Sequence, residues 1–420
     1  MLKAIILIGG PQKGTRFRPL SLDIPKPLFP VAGLPLIQHH VEACAALGNL
    51  KEILLIGFYP VAQLQEFVND MQKQYNMTIK YLQEFIALGT AGGLYHFRDQ
   101  IRYGNPDAFF VMNGDICADF PLAELYRFHK QQNKALVTIM GTEATRQQSL
   151  NYGCMVTNKD TNEVTHYVEK PSSYVSTLIN CGIYVFSLDV FPVIAEAFNA
   201  KQEEYYRNGN GSRDTGYIQL EQEILSPLAG TGKMFVLQTS NWWSQLKTAG
   251  SAIYANRHYL ELYKTRYPER LYTPSGEGGC AIIPDVHIDP TASVHPTAVL
   301  GPNVSIGPGV SIGPGVRIRE SIILANATVE QRSLVIYSII GRGSRVGQWA
   351  RVEGTPSDPD PNKPFAKMDN VSLFNSDGRM NPSITILGCS VSVPSETILL
   401  NCIVLPNKEL SRSIKNEIIL

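Results

Sequence analysis

The sequence predicts a Rossmann-like α/β domain followed by a β-solenoid. Three observations carry that expectation. Short apolar runs alternate with helical stretches up to about residue 250, the first run breaks into a basic glycine-containing loop, and from Ile288 aliphatic residues recur at every sixth position. The sheet domain is expected over 1–252, a linker over 253–275 and the solenoid over 276–420, with an inserted loop at about 354–383.

Residues 5–8 read as a first buried strand, closed by Gly9 and Gly10. With Gly14 these glycines allow positive φ and close backbone approach, so amide N–H groups can point at phosphate oxygens. Lys13, Arg16, Arg18 and Lys26 add positive charge around the same point. Helices are expected at 36–47 and 63–74, and strands at 52–57, 79–82, 108–112, 135–141 and 151–156. Strands spaced in this way build a parallel sheet whose ligands lie at its carboxyl edge. Further motifs fall where that edge belongs: Gln83-Glu84 ahead of a glycine-rich turn at 88–93, Asn113-Gly-Asp115 closing a strand, Glu169-Lys170-Pro171, and Asn180-Cys-Gly-Ile-Tyr184. A carboxylate at a strand end suits a hard cation, whereas a Glu-Lys pair taken alone is a surface ion pair. Residues 201–215 turn polar and Gly/Asn-rich and read as a mobile loop, and 218–225 as helix.

In the solenoid, Ile288, Val294, Leu300, Ile306, Ile312, Ile318 and Leu324 fall six apart, and the register resumes at Leu334, Ile340, Val346 and Val352. This is the hexapeptide period of a parallel β-helix, with the aliphatic inward and small residues at the corners. The period fails over the Pro-, Asp- and Asn-rich insert, which cannot form a coil of its own. Phe365, Met368, Leu373 and Phe374 are apolar anchors along it that a purely solvating loop does not need, so the insert is expected to dock on something. His287 and His295 lie at the start of the coils, either as turn and surface residues or as an acyltransferase's histidines.

Lys plus Arg equals Asp plus Glu at 37 each, so no net field draws the chain to nucleic acid or a membrane. No apolar run approaches the roughly 18–20 residues that span a bilayer. The first ten residues lack a signal-peptide layout, and seven cysteines without C-x-x-C spacing argue against a disulfide framework or structural zinc. A cytoplasmic location follows as the expectation.

In order and spacing these motifs resemble the sugar nucleotidyltransferases, whose signature is G-G-x-G-T-R-x-x-P-L-(T/S)-x-x-x-P-K-P. One departure stands in that loop: three residues, Pro11, Gln12 and Lys13, separate Gly-Gly from Gly-Thr-Arg where the family has one. The resemblance implies that Gly9, Gly10 and the catalytic positions Arg16 and Lys26 meet the phosphates. It implies that Gln83, Glu84, Gly89 and Thr90 contact base and ribose. It places Asn113 and Gly153 in the ligand site, Glu169 on the sugar hydroxyls, Lys170 on the sugar phosphate, and Asn180 along the sugar pocket. Asp115 matches the family's Mg²⁺-holding aspartate. The second metal aspartate, in a W-x-D-I-G context, is Gln245 here if Trp243 is the motif tryptophan, and Lys247 replaces the glycine. Mg²⁺ binding is then impaired, since an amide oxygen brings no charge, and metal placement carries most of the rate in phosphoryl transfer.

The six-residue period resembles the left-handed β-helix that many members of this family carry. Both domains together resemble the GDP-mannose pyrophosphorylases, and the lengthened loop, missing carboxylate and insert resemble their alpha-type, regulatory members. That resemblance implies a GDP-mannose-binding subunit of little catalysis. It would assemble with a catalytic beta-type guanylyltransferase in a hetero-oligomer, form homo-oligomers through the β-helix, and restrain the catalytic chain by feedback. Independently, the insert at about 354–383 is expected to reach the partner subunit and carry the inhibitory contact. Two alternatives stay open. One is an active mannose-1-phosphate guanylyltransferase in which Asp214 or Glu221 replaces the missing carboxylate; the other is a β-helix acyltransferase.

Overall fold

The computed structural model describes residues 1–12, 14–132, 134–208, 217–273, 279–369 and 372–420. Lys13, Asp214, the 209–215 part of the polar stretch and the expected junction at 275–276 lie outside them. Packing divides the chain into two units, neither continuous in sequence. One comprises Met1–Pro11, Ile37–Trp243 and Asp360–Lys367, and the other Gln12–Leu36, Ser244–Pro359 and Met368–Leu420.

The first unit is built on a nine-stranded sheet. Its strands are β1 Leu2–Gly9, β2 Leu50–Gly57, β3 Thr78–Gln83, β4 Ala108–Asn113, β5 Val137–Glu143, β6 Gly153–Thr157, β7 Val164–Glu169, β8 Leu178–Phe186 and β9 Met234–Gln238. They are ordered β7-β6-β8-β4-β1-β2-β3, with β5 on β8 and β9 on β5. The run β3-β2-β1-β4 is parallel, and β8 reverses against β4, β5 and β6. Parallel strands are covered on both faces, which is why β1 and β2 read as continuous apolar runs rather than alternating ones. Register matches Leu7 with Asn113, Gly9 with Gly57 and Gly57 with Gln83, so the carboxyl ends of the four parallel strands line one edge. The Gly9-Gly10, Gln83-Glu84 and Asn113-Asp115 motifs therefore share that edge. Toward the other end of these strands, fully buried Lys3 meets Glu52 at 2.6 Å and the Gln100 carbonyl at 2.8 Å. Burial pushes the Glu52 carboxyl up, but the ammonium groups of Lys3 and Lys80 outweigh it and hold the pKa below the usual range.

Helix α1 (Val61–Tyr75) buries Leu64, Phe67, Val68 and Met71 at helical spacing against the sheet. Helix α2 (Gly89–His96) follows the glycine-rich turn, and α3 (Leu122–Gln131) carries the buried His129. His129 is 4% exposed, with Nδ1 2.8 Å from Thr138 Oγ1 and Nε2 3.1 Å from Ser187 Oγ. Burial pushes its pKa down to about 4. The native ring thus stays neutral where the unfolded ring, titrating near 6.5, takes up a proton. Stability carried by this group is full above pH 6.5 and is lost as pH falls toward 4. Between pH 7 and pH 5 the loss amounts to about 2 kcal/mol. Urea unfolding at the two pH values checks this, and His129→Gln is expected to remove that part of the slope.

One loop expectation is corrected and one helix expectation is met with a change of type. The polar stretch does not begin as a loop at 201: α4 (Val190–Asn208) runs through it. Lys201 Nζ is fixed by Glu223 at 2.6 Å and the Tyr217 carbonyl at 2.5 Å, contacts invisible to local composition. The 218–225 helix is a π-helical turn, Leu220–Leu225, with Leu220, Ile224 and Leu225 buried.

The second unit is a left-handed parallel β-helix of two seven-stranded sheets and one five-stranded sheet. Its core stacks Leu300, Ile306, Ile312, Ile318, Val329, Val335, Ile340, Val346 and Val352. The strict six-residue register needs correcting at two places. Ile323, paired with Ile306 and Ile340, takes the inward position expected of Leu324; Val335 takes that of Leu334, which faces outward. The physical reason is coil length. Early coils repeat every 18 residues (Val286 on Val304), but from Ser305 on Ile322 they repeat every 17, so one turn per coil is a residue short. Ser338 pairs with Thr385, 47 residues on, so that coil holds 30 more than its 17-residue neighbours. The insert is not wholly irregular, since Phe374 and Met380 bridge antiparallel across a short turn. Helix α5 (Ala249–Arg266), opened by a Thr248–Ser251 capping box, begins in the expected sheet domain and runs into the linker expected at 253–275.

Gln12–Leu36 packs with this unit through specific partners. Ala32 N donates to Asn256 Oδ1 at 2.8 Å, Tyr263 Oη donates to the Ala32 carbonyl at 3.2 Å, and Arg342 meets Asp23 at 2.6 Å. Gly33, at φ +83, lies so close to His287 that a Cβ would sit 2.2 Å from Nε2. No helix among the described residues is long and apolar enough to cross a membrane, and the described cysteines are all free.

Candidate functional site

The carboxyl edge of the first unit's sheet brings most of the sequence-predicted residues together. Gly9 sits at φ +67, and a Cβ on Gly10 would lie 2.6 Å from Phe58 Cβ, so both glycines are needed for the chain to leave β1 as it does. Asn113 ends β4, its carbonyl 3.2 Å from His40 Nε2, and the half-buried Asp115 follows after Gly114 N bonds the Leu7 carbonyl. At the end of β3, Glu84 N donates to the Gly57 carbonyl at 2.7 Å. Glu84 Oε1 packs where a Cβ on Gly93 would intrude at 2.5 Å.

The glycine-rich turn is sewn to the π-helical segment. Gly89, at φ +74, passes so close to Ile218 that a Cβ would meet its carbonyl oxygen at 2.3 Å. Leu220 N donates to Thr90 Oγ1 at 2.8 Å, and Thr90 Oγ1 donates to Glu221 Oε2 at 3.3 Å. Burial raises the Glu221 pKa, and the charge of Glu169 raises it further. Glu221 is therefore engaged with Thr90, Glu169 and Lys170.

On β6, β7 and β8 a hydrogen-bonded chain assembles. Asn180 Nδ2 donates to Tyr184 Oη at 2.8 Å and Tyr167 Oη at 3.0 Å, and Tyr167 Oη donates to Glu169 Oε2 at 3.0 Å. Gly182 N donates to Asn180 Oδ1 at 2.8 Å, which orients the amide. Burial pushes both tyrosines well above their ordinary pKa, so they serve as neutral donors and acceptors. Gly153 is required beneath this chain, since its Cβ would meet Tyr167 Oη at 2.1 Å; Gly182, at φ +72, is required beside Asn113 Nδ2. The Lys170 ammonium lies 3.2 Å from Glu169 and is mostly exposed, and its backbone N bonds the Tyr152 carbonyl. The arrangement offers a carboxylate and a cation to a polyhydroxylated anion, with the carboxylate held from behind. Tyr167 was missed by motif reading; its signal is the two-residue alternation that points it to the same face as Glu169.

Trp243 stands behind this chain, buried, with Nε1 donating to the Cys181 carbonyl at 2.9 Å and its ring edge-on to Tyr152 at 5.5 Å. An unanticipated neighbour joins it from the insert. Lys367 N donates to Gln148 Oε1 at 2.8 Å and Gln148 Nε2 donates back to the Lys367 carbonyl at 2.7 Å. The Lys367 ammonium lies 3.3 Å from Thr142 Oγ1 and 6.0 Å from the Trp243 ring centre, and burial lowers its pKa. Only the separation of some 220 residues hid this clasp from sequence reading.

The remaining predicted residues belong to the second unit. Gly14, at φ +78, opens a short 3₁₀ turn that carries the exposed Arg16, and Lys26 Nζ lies 6.0 Å over the Phe17 ring. Gln245 ends the strand Trp243–Gln245, its carbonyl accepting from Lys247 N at 2.9 Å. His287 Nδ1 is 2.9 Å from the Arg270 carbonyl and His295 Nδ1 2.9 Å from Thr297 Oγ1, roles that are structural. Among the described residues, no group of three or more His, Cys, Asp or Glu is arranged to hold a metal.

Residues 3–212 match the Nucleotidyl transferase family and residues 282–420 the GMPPB C-terminal domain family. A protein of Drosophila melanogaster named mannose-1-phosphate guanylyltransferase regulatory subunit alpha is 66% identical, covering 100% of both chains. Proteins of the same name from Xenopus tropicalis and Homo sapiens are 60% and 57% identical, again over 100% of both chains.

Proposed function

Because the chain belongs to the nucleotidyl transferase family, among the alpha-type mannose-1-phosphate guanylyltransferase subunits, we propose that it is a regulatory subunit that binds GDP-mannose. In this reading it restrains a catalytic homologue by feedback in a cytoplasmic hetero-oligomer. The observation that carries the reading is a contrast. The Tyr184–Asn180–Tyr167–Glu169 chain is complete, while the strand Trp243–Gln245 ends on an amide where the family motif has a carboxylate.

In this reading Glu169 accepts from the sugar hydroxyls, Lys170 neutralises the sugar phosphate, and the backbone at Gly9 and Gly10 meets the pyrophosphate. The turn at Gly89 and Thr90, with Gln83 and Glu84, receives base and ribose, and Asn113, Gly153 and Asn180 shape the sugar side. Arg16 and Lys26 keep the family's cationic positions. Enzymes of the family generally use Mg²⁺, and the donors here fit it poorly. Asp115 offers one carboxylate and Gln245 a neutral oxygen, with Lys247 two residues on. A site that keeps its product without forming it reports product concentration, and differential affinity for two assembly states turns that report into inhibition.

Calorimetric titration with GDP-mannose, followed by a Mg²⁺-dependent pyrophosphate-release assay on the same sample, tests the proposal. Binding is expected, with turnover from GTP and mannose 1-phosphate at least about a hundredfold below a catalytic homologue, the usual scale for losing one charge-stabilising group. Gln245→Asp is expected to raise the Mg²⁺-dependent rate. Wild-type turnover equal to that of a catalytic homologue would sink the reading in favour of an active enzyme.

A further inference from the structure

The three outer faces of the β-helix differ in a way the core does not require. On the five-stranded sheet the outward positions are Ser293, Ser311, Thr328, Arg345 and Ser392, small hydroxyl side chains interrupted by one arginine that is paired with Glu330. On the second sheet the outward positions Ile322, Ile339, Ile386 and Ile403 are all buried. The first sheet follows neither pattern. Its outward row runs Arg317, Leu334, Arg351, Ile398 in direct register, and Ile398 is 51% exposed. At the adjoining corner Trp349 is 54% exposed, with the Arg332 guanidinium stacked 4.9 Å over its ring. The neighbouring row adds Arg319 and Lys415 against one carboxylate, Glu353, which is paired with Arg351 at 2.7 Å.

Exposed tryptophan, arginine and branched aliphatics on a flat, rigid sheet are the composition of a protein interface core rather than of solvated surface. Stacking on Trp349 holds Arg332 in one place before any partner arrives, which lowers the entropy lost on binding. The excess of cations over carboxylates decides the kind of partner. A second copy presenting the same face would bring the unbalanced cations Arg317, Arg319, Arg332 and Lys415 against their own copies, and like charges brought together at an interface are unfavourable.

We propose that this face, centred on Trp349 and the Arg317–Arg351 row, is the docking surface for a different protein chain that presents carboxylates around an apolar socket. Resting on the regulatory reading above, that chain is the catalytic subunit. The test uses the full-length chain and the purified catalytic homologue, with affinity read by biolayer interferometry and self-assembly by analytical ultracentrifugation. Trp349→Ala is expected to weaken the complex at least about tenfold, and Arg317→Glu with Arg351→Glu about a hundredfold. Wild-type affinity is expected to fall as NaCl rises. GDP-mannose binding and the melting temperature of each variant, unchanged, show that the fold is intact. Wild-type binding that both variants retain overturns the assignment of the face while leaving the regulatory reading standing. Variants that instead lose self-association of the lone chain overturn it in favour of a homotypic contact. Absence of any wild-type binding removes the catalytic partner itself, and the face as its dock with it.

Discussion

A chain in which residues 356–382 are replaced by a short Gly/Ser linker is expected to bind GDP-mannose as the intact protein does and to lose inhibition of the catalytic subunit. The closure is geometrically cheap. Thr355 N donates to the Ser383 carbonyl at 3.0 Å, so the two stumps already meet, and shortening a surface loop costs little closure entropy. The coil above and below is indifferent to the insert, because Ser338, Ile339 and Ile340 pair directly with Thr385, Ile386 and Leu387. Within the insert Asp358 meets Arg257 at 2.9 Å and Lys367 clasps Gln148, and between and beyond these residues it exposes apolar side chains. Phe365, Leu373 and Phe374 are each more than two-fifths exposed, which is costly unless something covers them. Steady-state rates of the reconstituted complex against GDP-mannose concentration make the measurement. Inhibition that persists undiminished in the deleted complex rules the insert out as the inhibitory element.

Asn180→Ala is expected to weaken GDP-mannose binding about a hundredfold, since each buried group left without a partner costs about 1–3 kcal/mol. Its amide nitrogen serves two buried tyrosines and its oxygen takes the Gly182 N–H, so alanine takes the Asn180 partner from Tyr184 Oη and Gly182 N and leaves Tyr167 Oη with Glu169 alone. Tyr167 then loses the contact that steadies it on Glu169, and the carboxylate is no longer fixed where the sugar hydroxyls are to meet it. Calorimetry separates this from simple unfolding. A lowered fraction of competent protein changes the stoichiometry, whereas loss of the site changes the dissociation constant at full stoichiometry. Wild-type affinity in the variant removes Asn180 and its chain from the site.

What could be read ahead of the structure was what short-range chemistry encodes. The turn at Gly9–Gly10, the strand-end Asn113 and Asp115, and the Glu169-Lys170 pair declared themselves because glycine and charge at strand ends have few other uses. The hexapeptide period was visible for the same reason. The early core residues Leu300 to Ile318 sit where the period puts them, and the register slipped only when coils shortened to 17 residues, since a deleted corner residue leaves no mark in composition. The extension of α4 past Lys201 depended on Glu223 and Tyr217, and the Lys367 clasp on Gln148. Those contacts pair residues distant in sequence whose types are unremarkable at home. Tyr167 was legible in principle from strand alternation, but only once β7 was known to be a strand.

The packing of Gln12–Leu36 bears on how the chain is made. This segment is translated well before four groups that pack against it, Asn256, Tyr263, His287 and Arg342. Domains of a nascent chain ordinarily fold in order, amino end first. Here the Gln12–Leu36 segment can pack Phe17 edge-on against Phe29 by itself, but it lacks Asn256, Tyr263, His287 and Arg342 until helix α5 and the solenoid have been synthesised. The cationic loop is thus translated before these partners and finished only after them, so its ordering is tied to the completion of the second unit rather than to its own place in the chain.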